Sequence, residues 1–258
     1  MVAIRVGVLV AVALGCASLA AAETRNIDRT LPLSATGTVA LDAHNGWVQI
    51  RTWDRPEVEV QVRIRWFGLS SSSYRFRETT VDVSGSADRV SIKWNPADRY
   101  GWTWSLFDWG WAGPDVRYDI TAPRNARFDI RTHNANTDIR DVSGLVHLDT
   151  HNGGSRIANL GGPLELSTHN GWARVDFASF TGDSRITTHN GWVELSLPSS
   201  SKFNLDARGH HISVRSDFPV TRQASWDRRS RDATGSINGG GPALRFNAHN
   251  GSLRVRSK

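Results

Sequence analysis

The chain has 258 residues, 22% of them charged and 39% hydrophobic, which is the make-up of a folded protein and excludes a disordered one. Its 31 basic and 25 acidic residues leave a net charge of +6, a modest excess spread along the chain that suits anionic lipids or polysaccharides. Eleven Trp and 23 Gly, with no helical stretches of Ala, Leu, Glu and Lys, point to strands and turns rather than helices.

Residues 1–22 read as a signal peptide. Arg5 precedes an apolar run from Val6 to Leu19, and Ala20-Ala21-Ala22 supplies small residues for cleavage before Glu23. The run is short for a membrane span. The only cysteine, Cys16, offers an alternative as a lipid-attachment site, but Ala13 stands three residues before it, where Leu is usual. Cleavage after Ala22 leaves 30 basic against 25 acidic residues and no cysteine, so the mature protein relies on its core rather than on disulfides. The expected location is the periplasm or the cell surface, and export argues against nucleic acid as a partner.

After a lead over residues 23–35, residues 36–258 form one repeat domain. Residues 57–66 alternate strictly, with Val58, Val60, Val62 and Ile64 on one face. Residues 66–114 form an insertion or cap containing a Ser70–Ser73 loop and the alternating Trp102, Trp104, Trp109 and Trp111. Residues 216–241 form a long excursion, rich in Arg and then Gly, before the last copy of the repeat.

The repeat is marked by His-Asn at His44, His133, His151, His169, His189 and His249. Gly follows in five of the six copies, and Ala135 replaces it in the other. The middle four begin 18, 18 and 20 residues apart, short for a two-helix repeat and right for one coil of a β-solenoid. The flanks alternate with period two and change parity at the mark. Leu164, Leu166 and Thr168 share a face before it, and Ala173, Val175 and Phe177 form the apolar set after it. A change of face at one fixed place is the signature of a corner, where Gly supplies positive φ and Asn bonds the backbone locally. The corner residues are Asn45-Gly46, Asn134, Asn152-Gly153, Asn170-Gly171, Asn190-Gly191 and Asn250-Gly251. In stacked coils these asparagines would form a ladder at about the 4.8 Å strand spacing.

Asn-Gly is also a strong hairpin signal. Each unit, however, holds a second break, as at Val142-Ser143-Gly144, Leu160-Gly161-Gly162 and Phe180-Thr181-Gly182. Two corners per unit make a coil, whereas one would make a meander. The predicted fold is therefore all-β, a single-domain parallel β-helix, with right-handed coiling as the default for parallel crossovers.

Four stretches carry a resemblance: His44-Asn45-Gly46 through Val60, the Thr-His-Asn-Gly series from Thr150, Thr168 and Thr188, Ser216-Asp217-Phe218-Pro219, and the glycine-rich lead into Ala248-His249-Asn250-Gly251. In this order the chain resembles the bacterial "putative adhesin" β-strand-repeat families of unknown function. The resemblance implies a β-helix-like fold, export to the envelope and no catalytic residues.

Three chemistries suit the outward face. Trp47, Trp172 and Trp192 share one slot and suit stacking on sugar rings, burial against another envelope protein, or cross-strand packing alone. The histidines His133, His151, His169 and His189, with Asp149 beside them, are candidate metal ligands, although most copies lack a carboxylate in that neighbouring slot. Trp102, Trp104, Trp109 and Trp111 suit either a buried cap or a membrane surface. A carbohydrate-active β-helix enzyme is the rival class, and its candidate acids are Asp138, Asp176 and Glu194. No nucleophile, phosphate-loop or zinc-helix motif appears, so no cofactor is expected and the favoured reading is a non-catalytic structural or adhesive module.

Overall fold

A computed structural model describes residues 23–66, 80–95, 115–224 and 231–258. The expected signal peptide, the expected Ser70–Ser73 loop and Trp102, Trp104, Trp109 and Trp111 lie outside the described residues. The structure is all-β, and among the described residues there is no helix.

Seven strands carry the aligned core of the fold. They are β2 (Thr38–Trp53), β7 (Arg127–Arg140), β8 (Val146–Leu160), β9 (Leu164–Phe177), β10 (Ser184–Leu197), β11 (Phe203–Ser216) and β14 (Ala243–Ser257). They pair in parallel in the order β2-β7-β8-β9-β10-β14-β11. The register aligns the copies residue for residue: Asn45 with Asn134, Asn134 with Asn152, Asn152 with Asn170, Asn170 with Asn190, and Asn190 with Asn250.

The remaining strands make the sheet mixed rather than parallel throughout. On one flank, β1 (Glu23–Pro32) pairs antiparallel with β3 (Glu57–Trp66), and β3 pairs antiparallel with β6 (Asp115–Pro123), which lies parallel to the second half of β2. The hairpin of β4 (Thr80–Gly85) and β5 (Arg89–Asn95) lies against the first half of β2. On the other flank, β13 (Arg231–Ile237) adds antiparallel to β11, and β12 (Thr221–Ala224) adds antiparallel to β13. The physical reason is visible in β3. Its alternation runs unbroken for ten residues with no Asn-Gly, so it has no corner and pairs as an ordinary strand.

The expected change of face is present. Leu164, Leu166 and Thr168 are buried before the mark in β9, and Ala173, Val175 and Phe177 after it; β10 repeats this with Ile186 and Thr188, then Val193, Leu195 and Leu197. These residues belong to one continuous apolar core that includes Phe128, Phe203 and Phe246. Full burial of each large aliphatic side chain contributes roughly 1.5–3 kcal/mol relative to exposure.

The second break also falls between strands. β7 ends at Arg140 and β8 begins at Val146. Asp141 takes positive φ in this link, at 62°, and Asn159 does so at the end of β8, at 57°; Asn159 donates to the Asp141 carboxylate at 2.7 Å. Both residue types tolerate the left-handed region, which explains their choice at a repeated bend. Within the seven aligned strands the chain order breaks once: β14 sits between β10 and β11, so the last copy of the mark lies inside the stack.

Candidate ligand-binding face

The corner residues line up across the strands. The Asn134 amide donates to Asn45 at 3.2 Å, Asn152 to Asn134 at 2.8 Å, Asn170 to Asn152 at 3.2 Å, Asn190 to Asn170 at 3.0 Å and Asn250 to Asn190 at 3.0 Å. His211 Nδ1 ends the row against Asn250 Oδ1 at 3.0 Å. The glycines differ from expectation. Gly46 and Gly153 adopt positive φ, at 115° and 132°, but Gly171, Gly191 and Gly251 do not. At Gly171 and Gly191 the requirement is space, because a Cβ there would sit 2.1 Å from the carbonyl oxygen of the glycine on the neighbouring strand.

Just before the corner the six histidines form a column. Their rings stack at centroid spacings of 4.6–4.9 Å and interplanar angles of 3–6°. His210 of β11 extends it past His249 at 5.5 Å, tilted by 35°. Sequence reasoning missed this seventh member because Gly209-His210-His211 carries no Asn-Gly; only its position in the stack reveals it. The pKa of His44 is lowered, first by burial and then by the positive charge of His133, against a raising effect from Asp42. The pKa of His169 is lowered by partial loss of solvent and by His151 and His189 on either side.

The column is poorly arranged for a metal. Near-parallel rings aim their nitrogen lone pairs along parallel lines, whereas a tetrahedral site needs lone pairs that converge at about 2.0–2.1 Å from one ion. Among the described residues no three His, Cys, Asp or Glu side chains gather in a metal-holding group. Asp149 instead borders an open groove of about 610 Å³ beside the column. Ser167, Thr187 and Asn247 line it, Arg208 closes its far end, and the imidazoles of His151, His169, His189, His249 and His210 run along it.

After the corner lies the Trp slot. Trp172 and Trp192 stack at 5.5 Å and 10°, with the Arg174 guanidinium 5.4 Å from the Trp192 ring centre and 6.0 Å from that of Trp172. Trp172 covers Gly154, where a Cβ would lie 2.3 Å from the indole, so the glycine is its seat. Trp47 holds the same register position but stands apart, separated from the pair by Asn136 and Gly154. Trp47 and Trp192 are the two exposed large apolar side chains among the described residues, at 41% and 39%. The role of Gly154 was legible only as a gap in the Trp column.

The candidate acids are neutralised by cations. Asp138 accepts from Arg140 at 2.8 and 2.9 Å, and this bonding lowers its pKa, the wrong direction for a general acid. Asp176 is paired with Lys258, and Glu194 lies 3.4 Å from both Arg174 and Arg256.

With this geometry in place, the chain can be set beside known proteins. The fold is shared with a structure called a "putative cell adhesion protein" from Clostridium sporogenes, at a TM-score of 0.50 and 8% identity, over 92% of this chain and all of that one. A structure called a "putative adhesin" from Bacteroides fragilis aligns at a TM-score of 0.41 and 10% identity, over 90% of this chain and 97% of that one. No family model and no curated protein matches the chain. The class defined is an all-β repeat protein that shares its fold with the Clostridium sporogenes structure.

Proposed function

We propose that this protein is an exported, non-catalytic binding module of the bacterial cell envelope, and that its ligand lies across the strands along the His and Trp columns that flank the Asn row. The observation that carries the reading is the alignment itself. Side chains of one kind repeat at 4.6–5.5 Å over successive strands and border an open groove, an arrangement suited to an extended polymer such as an envelope polysaccharide. The ion-paired Asp138, Asp176 and Glu194 weigh against the enzymatic alternative. The signal-peptide pattern of residues 1–22 and the fold shared with a protein named for cell adhesion support an envelope setting.

In this reading residues 36–258 wind as a β-helix, with β1 and the hairpins closing its ends. Chain arithmetic supports the winding. A straight strand of 15 residues, the length of β8, spans about 50 Å. Yet β9 begins in parallel register beside the start of β8 after a three-residue link, which reaches at most about 11 Å. The strand must therefore double back at its corner. A Ser167→Cys, Thr187→Cys pair, added to a Cys16→Ser chain, tests this, because the coil places the two side by side. Spontaneous disulfide formation is expected, and its absence would count against the winding. For the function, the purified mature protein is applied to an array of bacterial polysaccharides. Saturable binding that is weakened by Trp192→Ala or His169→Ala is expected; a blank array, or binding indifferent to both, would overturn the reading.

A further inference from the structure

The stacked pair leaves one indole with a free face. Trp192 presents one ring face to Trp172, and on its other side the same slot holds only Ser252 and then Ser213. The step down from a large ring to two hydroxymethyl groups creates a notch of about 290 Å³. Val193 and Leu253 form its buried base, and Glu194, Arg254 and Arg215 stand along one side.

The charges around this notch do not balance. Glu194 is held by Arg174 and Arg256, and Asp176 by Lys258. Among the described residues neither Arg254 nor Arg215 has a carboxylate partner. Glu194 is thus the one carboxylate among the lining residues of the notch and is already held, while Arg254 and Arg215 line it beside the indole. A flat apolar ring face beside two unpaired guanidinium groups calls for a ligand with an apolar face and an anionic edge. A neutral sugar would leave the arginines unmatched, and a free phosphate would leave the indole unused.

We propose that this notch binds the acidic sugar unit of a polysaccharide, with the C–H face of the pyranose on Trp192 and its carboxylate between Arg254 and Arg215. The proposal rests on the polysaccharide-binding reading and adds the chemical class of the ligand and its seat. Arginine suits the task because its planar fork meets a carboxylate in two parallel hydrogen bonds. The site supplies binding only; no bond of the sugar is broken.

The test titrates the full chain with an oligogalacturonate, with the same oligomer as its methyl ester, and with phosphatidylglycerol vesicles, following heat and indole N–H resonances. The acid oligomer is expected to bind about tenfold or more tightly than its ester, with that advantage shrinking as salt rises. Trp192→Ala and Arg254→Gln are each expected to weaken it about tenfold. Arg185→Gln, an equal loss of charge elsewhere on β10, is expected to leave it unchanged. Equal binding of acid and ester, or full binding by Trp192→Ala and Arg254→Gln together with loss in His169→Ala, would overturn the acidic-sugar seat while leaving a polysaccharide site on this face. Vesicle binding lost in Trp192→Ala without any sugar binding would overturn the inference and assign the notch to lipid. No binding of either oligomer overturns the acidic-sugar assignment, and joined to a blank polysaccharide array it overturns the wider reading as well.

Discussion

Replacing Asn170 with alanine removes two rungs of the corner ladder at once. Asn170 donates to Asn152 at 3.2 Å and accepts from Asn190 at 3.0 Å. A hydrogen bond of this kind contributes a net of about 0.5–1.5 kcal/mol, so the loss is about 1–3 kcal/mol, and the exposure of these amides places it in the lower half of that range. In a domain of this size that is a fall in Tm of roughly 2–8 °C. Asn45 is the matched control, because it stands at the end of the row and makes a single rung with Asn134; Asn45→Ala should cost about half as much. Asn170→Asp keeps the acceptor for Asn190 but turns a carboxylate oxygen toward the Asn152 carbonyl, so at neutral pH it should cost at least as much as alanine. The assay is urea unfolding, with the midpoint compared at constant m. Equal losses at positions 45 and 170, or losses within about 0.3 kcal/mol of zero, would refute the ladder as a source of stability.

Three further outcomes follow from the same geometry. Because the pKa values of His44 and His169 are lowered in the folded protein, the unfolded chain takes up protons first as pH falls. Stability is then fully present above about pH 6.5 and is lost as pH drops below it. Thermal melts between about pH 7.5 and 5.5 should show this decline, and a shallower one in His169→Gln; flat melts would refute it. Gly154→Ala should displace Trp172 from its seat and break the Trp172–Trp192 stack, read as loss of the far-ultraviolet exciton couplet of the paired indoles, with core stability within about 0.5 kcal/mol of the parent. Among the described residues the buried hydroxyl of Thr168 has no hydrogen-bond partner, so Thr168→Val should stabilise the protein by about 1 kcal/mol in the same urea assay. A destabilised variant would show that the hydroxyl is satisfied.

Much of the stack was legible because two simple periods overlap in the sequence. Alternation with period two, reversed at His-Asn-Gly, identified which of Leu166, Thr168, Ala173 and Val175 turn inward, and the constant spacing of the mark placed like residues side by side. Less of the flanks was legible. Antiparallel pairing of β1 with β3 and of β11 with β13 depends on which edges remain open, and no residue spacing encodes that. The insertion of β14 between β10 and β11 pairs residues 60 apart in the chain, as in Asn190 with Asn250, and periodicity alone cannot place such neighbours. The glycines that follow the asparagines do not share one reason. At Gly171 and Gly191 it is the approach of a neighbouring carbonyl, not the sign of φ, that forbids a side chain.

In the candidate site, the columns were visible from sequence but their surroundings were not. The His and Trp slots follow from register. The groove beside Asp149, the seat of Trp172 on Gly154, and the notch next to Trp192 depend on which neighbours are small, and so on the strand order. The stacking angle of the imidazoles likewise needed coordinates, and it separates a column that can border a polymer from one that could enclose an ion.

The most direct measurement is a map of amide, indole and imidazole resonances during titration with an oligosaccharide that the array selects. The proposed site predicts the largest changes at Trp192 and Arg254 and along the groove from Asp149 to Arg208. Changes confined to β1, β3 and β6, on the opposite flank of the sheet, would contradict it.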